Sequence, residues 1–227
     1  MCLCGVAVRN KGGFGEDRKI FDRYQVDSIE IPRKYAYIFS KERLVEMMEI
    51  CIYGRGGQGG VTLAELVAHA AIQEGKHAQS MPAFGPERRG APVLAFLRLN
   101  ETERIKIRTE ITEPDVLVVL DPGLLQVGDV VSRLKKDGIA VVNTTKSHEE
   151  MKAEIGAGRL ATVNAMSIAK GVLGLPIVNT TMLGALIKAT GIVKLESLEE
   201  PLKERFGKVA MKNIEAMKKA YEETVVS

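Results

Sequence analysis

The chain has 227 residues, 45% of them hydrophobic and 27% charged, which is enough to bury a substantial core and ordinary for a soluble globular protein. Its 32 basic and 29 acidic residues are interspersed and leave a net charge of +3, so the total excludes a strongly basic nucleic-acid binder and confines any anion site to a local cluster. No apolar run approaches the roughly 18 residues that cross a bilayer, and no charged leader precedes an apolar core at the N-terminus, so the expectation is a cytoplasmic protein with no membrane contact.

Residues 1–47 differ in texture from the rest. They hold Tyr24, Tyr35 and Tyr37, a turn at Gly12-Gly13 and one alternating patch, "KYAYIFS", with the look of a strand. Their apolar surface is too small for a core, so they read as an N-terminal extension to a domain spanning 48–227, or as the product of an upstream start codon. Cys2 and Cys4 lack further ligands nearby. Cys51 falls in a predicted strand as a small core residue, and three cysteines are too few for a disulfide framework or for the four thiolates of an ordinary iron–sulfur cluster.

From Met48 onward, strand and helix patterns alternate, which predicts an α/β layered fold with a mostly parallel sheet. Residues 49–53 form the first strand. "GVTLAELVAHAAIQEG" follows as a helix, with Leu63, Leu66, Val67 and Ala70 at helical spacing and an end at Gly75. A strand near 76–80 comes next, then "PVLAFLRLN" and "RIKIRTEI" as a hairpin about the turn Asn100 to Glu103, which makes the sheet mixed. "DVLVVLDP", 115–122, suits a strand buried on both faces. Helix "LLQVGDVVSRLKKDG", strand "IAVVNT" and a last strand "LATVNA" complete the sheet. Helices "SIAKGVLG", "NTTMLGALIKATG", "LESLEEPLKERFG" and Val209 to Thr224 close the chain, the last with Ala210, Ile214, Met217 and Tyr221 on one apolar face.

Between the first strand and first helix, "GRGGQGG" packs five glycines into seven residues, Gly54, Gly56, Gly57, Gly59 and Gly60, with Arg55 and Gln58 between them. Such a loop lets backbone approach a ligand closely, and the free N–H groups of the helix start attract a phosphate or carboxylate. It satisfies the G-x-G-x-x-G pattern of dinucleotide sites, yet the acid that should follow the second strand is absent: Glu74 ends the helix, and the strand end offers Gln79 and Ser80. No Gly-Lys-Ser/Thr follows, so it is not a Walker loop. The bland alternative is a tight strand-to-helix turn. A second loop, "SMPAFGPERRGAPV", 80–93, should lie beside it at the carboxyl edge of the sheet, converging Arg55, Arg88 and Arg89 on an anion or on subunit salt bridges. His69, His77 and His148 have no evident catalytic partner, and no metal-ligand spacing occurs. The chain looks built to bind and to assemble.

"GRGGQGGVT", "SMPAFGPERRGAPV" and "DVLVVLDPGLL", in that order over residues 48–227, resemble the gamma subunit of the 2-oxoacid:ferredoxin oxidoreductases, which act on pyruvate or 2-ketoisovalerate. The resemblance implies a three-layer α/β/α Rossmann-like fold and membership of a complex with alpha, beta and ferredoxin-like delta subunits that decarboxylates a 2-oxoacid, pyruvate first among them. It implies thiamine diphosphate and iron–sulfur clusters in those partners, ferredoxin as electron acceptor, and acyl-CoA as product. It associates the gamma part with coenzyme A and with assembly, and assigns Gly54, Arg55, Gly56, Gly57, Gln58, Gly59, Gly60, Arg88 and Arg89 to the CoA phosphates or to a subunit contact. The competing readings are a pure scaffold in the same complex and a free-standing NAD-binding protein.

Overall fold

The computed structural model describes residues 25–26, 29–30, 47–83, 91–126, 130–156 and 158–227. The chain divides into two compact units, Met1–Glu46 and Met47–Ser227. In the first, β1 (Gln25–Val26) and β2 (Ile29–Glu30) form a small antiparallel ladder. The patch "KYAYIFS", Cys2, Cys4 and the three tyrosines lie outside the described residues.

The second unit is built on a seven-stranded sheet of β3 (Met48–Arg55), β4 (His77–Pro82), β5 (Pro92–Asn100), β6 (Val116–Val119), β7 (Ile139–Asn143), β8 (Arg159–Val163) and β9 (Val225–Val226). Its order is β4-β5-β3-β6-β7-β8-β9. The inner strands β3, β6, β7 and β8 run parallel, β5 is antiparallel to both β3 and β4, and β9 is antiparallel to β8. The parallel strands read as continuous apolar runs because both faces are covered. On β6, Val116 and Val118 enter one core while Leu117 and Val119 enter the other.

One face carries α1 (Gly60–Gln73), α3 (Ala165–Leu173), α4 (Asn179–Thr190), α5 (Glu199–Phe206) and α6 (Ala210–Glu223). Helix α4 is buried on nearly every side, and it packs on α6 so closely that a Cβ at Gly184 would stand 2.0 Å from the Met217 carbonyl oxygen. The other face is thinner. It is covered by Ile111, a 3₁₀ turn at Pro122–Gln126, Val130 and α2 (His148–Ile155), which contributes Met151.

Several expectations change. "RIKIRTEI" is not a strand, because β5 already has β3 and β4 on its two sides. The chain leaves it at Asn100, whose Oδ1 accepts hydrogen bonds from the Thr102 and Glu103 amides at 2.9 and 2.7 Å. Residues 104–110 are then almost wholly exposed. "LLQVGDVVSRLKKDG" does not form an α-helix over its described residues: Pro122–Gln126 is a 3₁₀ turn and 130–133 are turns, tied by the Leu134 amide to the Val131 carbonyl and the Lys135 amide to the Pro114 carbonyl. Helix α2 goes unforeseen although its start carries a sequence signal. Ser147 Oγ accepts from the Glu150 amide at 3.2 Å and Glu150 Oε2 accepts from the Ser147 amide at 2.8 Å, a full capping box. β8 is not the last strand, since β9 pairs with it.

Candidate functional site: the glycine loop at the sheet's switch point

The strands that follow β3 in sequence, β4 and β5, lie on one side of it, while β6 and its successors lie on the other. The carboxyl ends of β3 and β6 therefore flank the point where the winding reverses, the crevice in which open α/β sheets bind ligands. The glycine loop occupies that crevice. Gly54 and Arg55 end β3, Gly56, Gly57 and Gln58 make the turn, Gly59 caps α1 and Gly60 is its first residue. Gly57 and Gly59 have φ of 93° and 78°, left-handed values that only glycine adopts cheaply.

The first hydrogen bond of α1 runs from the Leu63 amide to the Gly59 carbonyl at 3.0 Å, and no side chain caps the helix. The amides of Gly60, Val61 and Thr62 thus carry no intrahelical partner, and no acidic residue sits in the first turn. This end of the helix is electropositive and open to an anion.

The loop itself is braced from within. The Arg55 amide donates to Gln58 Oε1 at 2.7 Å, and the Gln58 amide donates to the Arg55 carbonyl at 2.9 Å. Arg55 Nε donates to Asp121 Oδ2 at 2.7 Å, and Gln58 Nε2 reaches the same oxygen at 3.3 Å. Asp121 follows β6 and turns its other oxygen to the Gly123 amide at 2.9 Å. The pair Arg55–Asp121 therefore spans the switch point from one strand end to the other. Arg55 is committed to this bridge, a constraint that residue type alone did not reveal. Asp121 was legible as an acid at the end of an apolar strand, although its role as partner to Arg55 was not.

The second loop arrives by a different route from the one expected. β4 is not a neighbour of β3, because β5 lies between them. The hairpin nonetheless returns the chain to the glycine loop: Pro92 is in register with Arg55, and the Gly56 amide donates to the Ala91 carbonyl at 3.0 Å. Residues 84–90, including Arg88 and Arg89, lie outside the described residues, while Ala83 and Ala91 at their flanks are placed at the carboxyl edge.

His69 and His148 are engaged elsewhere. His69 Nδ1 is 3.7 Å from Glu204 Oε2, and His148 bridges Thr162 Oγ1 and Ser227 Oγ at 2.9 Å each, holding β9 to β8. Glu74, the acid nearest the dinucleotide position, is spent on structure. Burial disfavours its charge, but the Lys194 amide, Ser197 and Lys76 overcome this and hold its carboxyl below the usual range. Among the described residues, no three His, Cys, Asp or Glu gather in a way that could hold a metal ion, and no helix is long and apolar enough to cross a membrane.

Residues 49–223 match the model of the pyruvate ferredoxin/flavodoxin oxidoreductase family. The chain is 54% identical over 183 residues to the pyruvate/ketoisovalerate oxidoreductases common subunit gamma of Thermococcus kodakarensis, covering 79% of this chain and 98% of that protein. It is 50% identical over 177 residues to the pyruvate synthase subunit PorC of Methanothermobacter marburgensis, covering 78% and 97%. The crystal structure of the pyruvate oxidoreductase subunit PORC of Thermotoga maritima superposes with a TM-score of 0.72 at 37% identity, covering 80% of this chain and 99% of that one. With its glycine loop at the switch point of a mixed Rossmann-like sheet, the chain belongs to the pyruvate ferredoxin/flavodoxin oxidoreductase family, among its gamma subunits.

Proposed function

We propose that this chain is the gamma subunit of a cytoplasmic 2-oxoacid:ferredoxin oxidoreductase, acting first on pyruvate, in which it contributes coenzyme A binding and assembly. The observation that carries the reading is the uncapped start of α1 at the switch point: free amides, no acidic residue in the first turn, and a backbone bare enough for a phosphate to approach. The pyrophosphate of CoA fits such a site, with Gly54 to Gly60 supplying backbone donors and Arg88 or Arg89 pairing with a phosphate. Decarboxylation on thiamine diphosphate and electron transfer through iron–sulfur clusters to ferredoxin belong to the alpha, beta and delta partners. The relative in Thermococcus kodakarensis is named as common to pyruvate and ketoisovalerate enzymes, which supports a gamma subunit that does not itself select the 2-oxoacid.

In this reading, residues 1–47 are an extension and 48–227 the gamma-type domain. The test is the double variant Arg88→Ala/Arg89→Ala in the complete complex. The apparent KM for CoA should rise at least tenfold, the loss expected when a charge-assisted contact is removed, while CoA-independent decarboxylation stays close to wild type. An unchanged KM overturns the CoA assignment. A second reading, a scaffold without ligand contacts, is favoured by the engagement of Arg55 with Asp121; it predicts that the same double variant loses co-purification with the partner subunits and keeps its CoA affinity.

A further inference from the structure

A second helix start meets the glycine loop. Helix α4 begins at Asn179 with no side-chain cap from Val178, and Asn179 lies against Gly59 so tightly that a Cβ there would stand 2.3 Å from its Nδ2. Asn179 is 6% exposed. The orientation of its amide is set by chemistry, because Oδ1 accepts from the Thr180 amide at 2.8 Å, so the nitrogen, with two donors, is the end that faces the loop. That nitrogen makes no hydrogen bond within the described residues. The side chain is more than nine-tenths buried, yet its nitrogen is not among the fully buried unsatisfied atoms, so the two donors face an opening that water or a ligand can enter. The carboxamide stands against Gly59, the residue that precedes the free amides of α1, and at the positive end of α4, a helix of 12 residues. Two helix starts thus meet at Gly59, and the Arg55 guanidinium of the same loop is engaged by Asp121.

We propose that Asn179 is a ligand-binding residue of this site: its Nδ2 donates to the phosphate held at the start of α1, so that the anion sits in the mouth of two helices and is bound by neutral amides. This rests on the CoA reading given above and adds to it a residue some 120 positions away in the chain, in a segment that carries no glycine or arginine motif. It also supplies a reason for glycine at 59, since any side chain there would occupy the place of the donor.

Two substitutions with opposite structural consequences test it. Asn179→Ala removes both the donor and the acceptor that caps Thr180, whereas Asn179→Asp is nearly isosteric, keeps that acceptor and replaces the donor by a negative charge. A merely structural Asn179 would tolerate Asp better than Ala. A phosphate ligand predicts the reverse order: in the complete complex the KM for CoA rises about tenfold for Ala and further for Asp, while both variants co-purify with the partner subunits as the wild type does. Direct titration of the complex with CoA should follow the same order. If Arg88→Ala/Arg89→Ala raises the KM while both Asn179 variants leave it at the wild-type value, or if Asp binds CoA better than Ala, Asn179 is not a ligand and the CoA reading stands without it. If neither set of variants alters the KM, the CoA reading falls and this proposal with it.

Discussion

Cys51 shows how much a single side chain can owe to its place. It sits in β3 with no exposed surface, its Sγ donates to the Ile111 carbonyl at 3.7 Å, and burial, opposed by the Arg133 charge, pushes its thiol from the ordinary 9.0 up to about 12. A thiol held protonated in this way is inert towards alkylation in the folded state. The unfolded chain has no such constraint and ionises near the ordinary value. The stability contributed by this group is therefore complete below about pH 9 and is lost as pH rises from there towards 12, because only the unfolded state gains by releasing the proton. The check is the urea midpoint as a function of pH in the wild type and in Cys51→Ala. The substitution shifts the curve by a packing cost at every pH, but its decline above pH 9 should be shallower; parallel curves would refute the assignment. The core role of Cys51 was legible from an apolar strand pattern. Asn179 was not legible at all, since its significance comes from the approach of α4 to Gly59, which no local pattern encodes.

Elements followed the same division between local and non-local causes. β3, β6, β7 and β8 were readable because strands buried on both faces are apolar without interruption, and α1, α3, α4 and α6 because their apolar positions recur at helical spacing. "RIKIRTEI" alternates like a strand, yet both sides of β5 were already taken, so partner availability overrode propensity. β9 is two residues long, and α2 is two turns with a single buried side chain, Met151; both were too short for periodicity to register. The contact of α4 with α6 yields a prediction at this scale. The two helices run in the same direction, with Thr180 Oγ1 donating to Asn213 Oδ1 at 2.7 Å at one end and the Lys188 ammonium 4.8 Å from the Tyr221 ring centroid at the other. Between them Gly184 abuts backbone, the Met217 carbonyl and, at 2.7 Å from a Cβ, the Tyr221 amide, so Gly184→Ala must push the helices apart. That overpacking should cost about 3 kcal/mol and lower the Tm by roughly 10 °C. Gly171→Ala is the control: it lies inside α3 with nothing within 4 Å of a Cβ, and it should raise stability by about 0.5 kcal/mol. Equal effects from the two would refute the packing argument.

At the scale of the whole domain, the two faces of the sheet are unequal. One lies under α1, α3, α4, α5 and α6, the other under turns, irregular chain and the short α2. The thin face is held by arginines. Arg98, 1% exposed on β5, pairs with Glu49 on β3 through Nε at 2.9 Å. Arg133 fastens the segment before β6 by donating to Tyr53 Oη at 3.1 Å, to the Ile111 carbonyl at 3.4 Å and to the Thr112 carbonyl at 3.3 Å. A smaller buried core than that of the other face and a hydrogen-bonded clamp predict a region that opens ahead of global unfolding. The site stands at the border of the two regions, since Asp121 leads from β6 into the 3₁₀ turn of the thin face while α1 and α4 belong to the thick one. Arg133→Ala should therefore speed amide exchange at Asp115, Leu134 and Lys135, whose hydrogen bonds to Glu49, Val131 and Pro114 lie along that cover, and leave the amides of α4 and α6 as slow as before. An exchange pattern raised evenly across both faces would mean that the sheet and its two covers unfold as one unit. A pattern raised on the thin face alone would mean that the turn carrying Asp121 moves apart from the helix starts, and that the Arg55–Asp121 bridge is the tie between a mobile and a rigid wall of the crevice.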